Sequence, residues 1–503
     1  MSSSDETIQL LVDANATAPV AAEIKPRSEI AVVFRKTGRT ILLTIVLALL
    51  PLVIPRLALL VSFKGQNYRE ILPNPRELVS FKGATQNSGE LPGGPTQNEF
   101  VVSENTVPEP GSGSIVDPNH ALDAFYDKLA LTDAKKPGAI TRITHYGDSP
   151  ITNDGLTAPT RRRLQERFGD AGHGFILVDR PWAWYGHQAI TFSSGGGWNN
   201  DSIMNPMVTD GAFGLGGVDF RASGPGKYAR FGPAADGDMG KTFSRMDVYF
   251  LRQPNGGQFE AGTVGGNHNS VSTASDRSES GFFEVKASQP GANTFEIKTA
   301  GGSVRMFGVV VENDGPGIVY DSLGVNGAYA GLLATVMNEQ HWAEQLQHRK
   351  SDLIILNYGT NESQYASDAQ MARYDRDLRE VIRRIRSAVP NASVLVVSPM
   401  DRGTHSGGKI VTLPSIPKIV DLQRRVAAET NCAFLNLFAA MGGEGTMAKW
   451  HEGRDHLVGG DLTHPTAAGA EKIGVLIYDA LVDGFVRYQS RHPVAQPSVI
   501  AAK

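Results

Sequence analysis

The chain has 503 residues, is 41% apolar and carries a formal net charge of −4. That length accommodates two or three domains and a sizeable core. The near-balanced charge excludes the concentrated basic surface with which a nucleic-acid binder displaces counterions. The single cysteine, Cys432, rules out an internal disulfide. Its place in the apolar run Cys432–Leu437 reads as a buried strand thiol, not as a nucleophile in an electropositive, partly exposed setting.

In chain order, residues 1–40 form a polar tail expected in the cytoplasm. Residues 41–63 are expected to be a transmembrane anchor, with Arg56 snorkelling to the interface. Arg35, Lys36 and Arg39 before it orient the remainder outward. A cleaved signal peptide is the rival reading; against it stand the long polar tail and the lack of a small-x-small site close behind. Residues 64–117 are rich in Gly, Pro, Asn, Ser and Glu, and repeat Leu-Val-Ser-Phe-Lys-Gly at 60–65 and 78–83. Short duplications without a sustained period mark a flexible linker, not a solenoid.

Ordered structure is expected from about Asp117. Asn119–Leu131 has helical apolar spacing, Ala139–Tyr146 reads as a strand, and Leu156–Phe168 as an arginine-rich helix. Further on, strands over Asp352–Asn357, Ser393–Ser398 and Cys432–Leu437 alternate with helices over Met371–Ala388, Lys418–Thr430 and Thr466–Val486. Apolar strands alternating with helices predict a parallel sheet covered on both faces, with ligands at the carboxyl ends of its strands. The glycine-rich stretch 191–313 instead shows short alternating segments such as Met246–Leu251 and Val304–Val311, which predict an inserted all-β sandwich; an irregular set of loops is the alternative. The α/β domain is thus expected in two parts, 118–190 and 314–490, followed by a tail over 491–503.

Four short motifs carry the chemistry. Tyr146-Gly147-Asp148-Ser149 ends the first strand, where a serine amide and a helix N-terminus would face a developing oxyanion; most Gly-Asp-Ser tripeptides are ordinary turns. Asp461-Leu462-Thr463-His464-Pro465 places a carboxylate three residues before an imidazole, a spacing that lets the carboxylate accept the ring N–H. Equally, Asp461 or Thr463 would serve as a cap for the next helix. Tyr358-Gly359-Thr360-Asn361-Glu362 comes directly after a buried strand and offers the Asn361 amide as an oxyanion donor; a polar turn with Glu362 capping the next helix is the plainer alternative. Asp321-Ser322-Leu323-Gly324-Val325-Asn326-Gly327 offers a backbone N–H near the same point.

Taken together, the order and placement of these motifs resemble the SGNH/GDSL hydrolase family over roughly residues 118–190 and 314–490. The resemblance implies an α/β fold with an SGNH-type, flavodoxin-like parallel sheet, and a Ser149–His464–Asp461 triad. It implies an oxyanion hole of Ser149, Gly327 (with Gly324 as rival) and Asn361. Two departures stand out: Pro150 replaces the usual Leu after the serine, and Glu362 replaces the Asp commonly found after the block-three Asn. Within the family the likeness is to bacterial peptidoglycan O-acetylesterases, which carry Gly-Thr-Asn-Glu and a sandwich inserted between the first two blocks.

The resemblance implies acyl-ester hydrolysis, most of all of acetate on a cell-envelope glycan, peptidoglycan or exopolysaccharide. The expected setting is a single-pass inner-membrane protein facing the periplasm or exterior. No cofactor, metal or nucleic-acid partner is expected. Trp182, Trp184, Tyr185 and Glu362 are candidate substrate contacts; the aromatic segment 180–187 would equally form a seam between domains. His341 and His348, seven apart on a helical pattern, read as surface residues. Two alternatives are an O-acetyltransferase using the same triad and a non-catalytic glycan-binding protein.

Overall fold

The computed structural model describes residues 113–493 apart from 236–238, 290 and 365–366. The expected tail, anchor, nearly all of the linker and most of the C-terminal tail lie outside the described residues. Among those residues no helix is long and apolar enough to cross a membrane.

After a helix at Asp123–Asp133 comes β1 (Ile140–Gly147), then a single helical turn, Ser149–Thr152, and a helix at Thr157–Phe168. Eleven strands come next: β2 (Gly172–Leu177), β3 (Ile190–Ser194), β4 (Asn199–Ser202), β5 (Val218–Ser223), β6 (Tyr228–Pro233), β7 (Arg245–Arg252), β8 (Gln258–Thr263), β9 (His268–Ser272), β10 (Glu279–Lys286), β11 (Phe295–Gly301) and β12 (Ser303–Glu312). The chain then returns to α/β alternation. It passes through β13 (Gly317–Gly324), a helix at Glu339–Arg349, β14 (Leu353–Asn357), a helix at Asp368–Ala388 and β15 (Ser393–Val397). A small hairpin, β16 (Gly403–Ser406) and β17 (Lys409–Thr412), precedes a helix at Ser415–Glu429, β18 (Ala433–Leu435) and a final helix at Ala467–Arg491.

The α/β part is a parallel five-stranded sheet in the order β13-β1-β14-β15-β18. Strands β14 and β15 are buried throughout, because helices cover both faces. Ile143, Leu353, Ile355, Leu395 and Val397 pack on Ile473, Ile477, Leu481 and Phe485 of the last helix. Ile354, Leu356, Val394 and Val396 face Leu378, Ile382, Ile385 and Val426 on the other side. Register aligns the carboxyl ends: Gly147 pairs with both Gly324 and Asn357, and Asn357 pairs with Val397. The motifs after β13, β1 and β14 therefore emerge side by side along one edge.

The insertion forms two antiparallel sheets, β10-β7-β12-β5-β4 and β3-β6-β11-β8-β9. Their aromatic inner faces meet, as in the Phe250–Phe259 pair with ring centroids 5.0 Å apart. One boundary differs from the sequence expectation. β2 lies within the segment assigned to the first α/β part, yet it pairs antiparallel with β12. Positive φ at Gly172 and Gly174 turns the chain out of the parallel layer, and the Phe175 N–H is held by Asp321 Oδ1 at 2.9 Å.

A second difference concerns the histidines of the Glu339–Arg349 helix. They share a face, as their spacing implies, but the inserted domain covers that face. His341 is buried, with Nδ1 2.7 Å from Ser280 Oγ. His348 stacks on Phe282 at 3.7 Å and reaches Asp247 at 2.5 Å. A helical repeat reports which residues share a face, not what is packed on it.

Candidate active site

Two segments far apart in sequence meet at Ser149. Its Oγ lies 2.7 Å from His464 Nε2, and His464 Nδ1 lies 2.5 Å from Asp461 Oδ2. The second carboxylate oxygen, Oδ1, accepts the backbone N–H groups of Thr463 and His464, each at 3.1 Å. Burial pushes the Asp461 carboxyl up, but the hydrogen bonds from the His464 ring and these two amides outweigh it and hold the group below its ordinary value. An ionised carboxylate only accepts, so Nδ1 carries the imidazole proton and Nε2 is free to accept from the Ser149 hydroxyl.

The local backbone explains this convergence. Leu462 is left-handed at φ 56°, which folds the 461–464 turn back on itself. The turn is tied to the rest of the sheet edge by Gly403 N–H donating to Leu462 O at 2.8 Å. The final helix is capped by the Thr466 side chain, which accepts from the Gly469 N–H. Neither Asp461 nor Thr463 serves as that cap, so the Asp461 carboxylate is left for the imidazole. The helix after Ser149 is one turn long, with Pro150 in its first turn. The dipole contribution expected from a helix N-terminus is correspondingly small, and the Ser149 amide itself is the relevant donor.

The two remaining blocks touch each other. Asn361 Nδ2 donates to Ala328 O at 2.8 Å, which ties the loop after β14 to the loop after β13. Gly327 sits in that second loop with φ 77°. Gly324 ends β13 with its backbone pressed on the Ser149–Thr152 turn: a Cβ there would lie 2.4 Å from the Thr152 nitrogen. Gly324 is thus required for close packing, whereas Gly327 belongs to the open loop beside Asn361.

The aromatic segment divides. Trp184 is 55% exposed, and Trp182 is partly buried against the core. Tyr185 is buried, its hydroxyl accepting the Leu177 N–H at 2.9 Å, so it belongs to the seam under β2 and not to an open sugar-binding wall. Glu362 is corrected in the same way. Its carboxylate accepts the N–H groups of Ala330 at 2.9 Å and Gly359 at 3.0 Å, bracing the loops after β13 and β14. Nor does it cap the next helix, where Ser367 and Gln370 form a reciprocal capping box.

Two residues escaped the sequence reading. Asp148, beside Ser149, is fully buried; burial, then repulsion from Glu362, raises its pKa to about 8. Glu362 is raised by burial to about 7. Arg402 Nη1 donates to Thr360 O at 2.9 Å and to Ser363 Oγ at 3.2 Å, fixing the Asn361 loop from its other side. Asp148 stands inside the Gly-Asp-Ser motif, but nothing local announces its burial, and no local signal marks Arg402. Among the described residues, no group of three or more His, Cys, Asp or Glu side chains is placed to hold a metal ion.

Residues 290–472 match the model of the GDSL-like lipase/acylhydrolase family. That span contains Gly327, Asn361, Asp461 and His464; Ser149 lies before it, separated by the inserted sheets. No curated protein matches the chain. Among solved structures, one described as a peptidoglycan O-acetylesterase is 23% identical with a TM-score of 0.63, covering 75% of this chain and 99% of its own. An acetylxylan esterase from Geobacillus stearothermophilus is 18% identical over 34% of this chain and 73% of its own, with a TM-score of 0.25. A Bacillus subtilis protein is 12% identical over 60% of this chain and 91% of its own, with a TM-score of 0.29. The first of these shares the fold over nearly its whole length. The family match thus falls on the second α/β part, which with its neighbouring sheets takes up the fold of that structure.

Proposed function

We propose that the protein is a serine esterase that removes O-acyl groups, acetate in particular, from a cell-envelope glycan. The observation that carries this reading is the unbroken relay from Ser149 Oγ through His464 to Asp461, at 2.7 Å and 2.5 Å. In the reaction, His464 Nε2 takes the Ser149 proton as Oγ attacks the ester carbonyl. The oxyanion is received by the Ser149 amide, the Gly327 amide and the Asn361 side chain, whose second N–H remains after the bond to Ala328. Asp461 stays ionised and stabilises the imidazolium. His464 then returns the proton to the departing sugar oxygen, leaving acyl-Ser149. Water deprotonated by His464 attacks this ester, and the carboxylic acid leaves as Ser149 recovers its proton.

The glycan assignment draws support from the shared fold with the peptidoglycan O-acetylesterase structure. It also draws support from exposure: the His464 and Asp461 side chains are 48% and 53% exposed. Such a triad meets an ester displayed on a polymer without enclosing it. The same exposure gives water ready access to the acyl-enzyme and favours hydrolysis over transfer to a second sugar. We further propose that residues 41–63 anchor the chain in the inner membrane with the hydrolase domain outside.

The test uses the purified full-length chain, wild type and Ser149→Ala, on acetylated peptidoglycan and on p-nitrophenyl acetate. Acetate release from both substrates by wild type only is expected. Equal release by the mutant overturns the catalytic assignment, and release from the small ester alone overturns the glycan assignment. Acetate appearing on a supplied sugar acceptor would identify a transferase.

A further inference from the structure

The inserted domain reaches the oxyanion loop through one short segment. A Cβ added to Gly327 would lie 3.3 Å from Met204 Cε and 3.9 Å from its Sδ, with nothing else within 4 Å. Met204 lies just after β4 of the insertion. Its loop is held by the buried Asp201 carboxylate, whose Oδ2 accepts the N–H groups of Met207 at 2.7 Å and Val208 at 3.0 Å, while Oδ1 accepts that of Ser202 at 2.8 Å. Ile203 N–H donates to Gly217 O at 3.0 Å. A Cβ on Gly217 would meet Ile203 at 2.9 Å and Val325 at 3.3 Å, so the loop is seated on the start of the oxyanion loop. A loop with so many of its amides satisfied has a fixed position.

Sheet order sets the side from which each group approaches. Ser149 comes directly after β1. The Gly327 loop extends from β13 on one side of it; the 461–464 turn is tied to Gly403, beyond β15 on the other. The departing oxygen must lie toward His464, which protonates it. The oxyanion is taken up by the amides and Asn361. The remaining substituent of the tetrahedral carbon, the acyl chain, is then left to the side away from His464, where Met204 borders the Gly327 loop.

We infer that Met204, supplied by the inserted domain, sets the length of the acyl group that the site accepts and restricts it to acetyl size. This rests on the reading of Ser149 as nucleophile. One methylene more or less against an apolar wall is worth roughly 10–200-fold, and a Met truncated to Ala opens room for at least that much chain.

The full-length chain is assayed with p-nitrophenyl acetate, butyrate and hexanoate. Wild type should prefer acetate, and Met204→Ala should lower the acetate-to-butyrate ratio of kcat/KM about tenfold or more, chiefly through a rise with butyrate. Met204→Leu, close in volume, should keep the wild-type ratio. If Met204→Ala loses its folded circular dichroism, Met204→Phe is read instead and should disfavour butyrate further. A wild type indifferent to chain length, or a ratio within twofold of wild type in the folded variant, overturns the inference. Ser149→Ala separates the two levels. Full activity in that variant defeats the reading of the site itself; a dead Ser149→Ala beside an unchanged Met204→Ala ratio defeats only the role of Met204.

Discussion

Two clusters of charged side chains lie within one molecule and do opposite things. At the sheet edge, Asp461 and His464 are about half exposed. At the seam between the α/β sheet and the inserted domain, Arg349, Asp321 and Glu312 are 2%, 0% and 5% exposed. There the Arg349 guanidinium donates to both oxygens of Asp321, at 2.7 Å and 2.9 Å, and to Glu312 at 2.8 Å, and Arg142 and Arg245 also bind Glu312. Burial would push the Glu312 carboxyl up, but the surrounding arginines hold it far below its ordinary value. The seam cluster spends its hydrogen-bonding capacity internally. The triad leaves Ser149 Oγ and the Asn361 amide open to a reacting molecule. Unspent capacity facing solvent, and not charge itself, separates a working site from a structural joint.

The sharpest way to break that comparison is Ser149→Ala. It should reduce kcat on p-nitrophenyl acetate by about 10⁴-fold or more and leave the midpoint of urea unfolding unchanged. Arg349→Ala should do the reverse. By leaving Asp321 and Glu312 buried without their partner, it should destabilise the fold by about 3–5 kcal/mol, read by urea denaturation, with the triad chemistry retained in the molecules that remain folded. If Arg349→Ala unfolds at the wild-type midpoint, the seam is not the joint described. Asn361→Ala should lower kcat by about 10²–10³-fold, the typical loss for one oxyanion donor, with KM for the small ester little altered. A large rise in KM at constant kcat would place Asn361 in ground-state binding instead.

The last effect concerns pH and is read in stability instead of turnover, at Asp148 beside Ser149. Its carboxyl is raised to about 8 in the folded protein by burial and by Glu362, against roughly 3.9 in an unfolded chain. Between these values the native state holds the proton more firmly, so stability falls as pH rises through that window. Asp148→Asn removes the titration. The unfolding midpoint of the variant relative to wild type should therefore improve from pH 5 to pH 8.5. A constant difference between the two proteins across that range would show that Asp148 does not titrate there.

Much of this site is legible along the chain. A glycine-serine turn after a buried strand, an Asn after another and an Asp three residues before a His each have ordinary explanations. Their order along alternating strands and helices is what makes them one constellation. Burial defeated the sequence reading elsewhere. His341 and His348 read as surface residues, yet the inserted domain covers them, fully or in part; for Tyr185, burial decides for the seam over the sugar-binding wall. Glu362 looked like a substrate contact or a cap because nothing local shows that the amides of Ala330 and Gly359 would converge on it.

The sequence by itself determined the alternation that builds a parallel sheet and the identity of the reactive side chains, since both depend on local periodicity and on functional groups carried by single residues. Only the tertiary structure decided which of the capping, bracing and catalytic roles each polar residue takes. A carboxylate accepts whichever N–H is nearest, and nearness across hundreds of residues is set by strand register. The thioether of Met204 over Gly327 is the plainest instance: no pattern near either residue announces it, and the packing of one domain on another creates it.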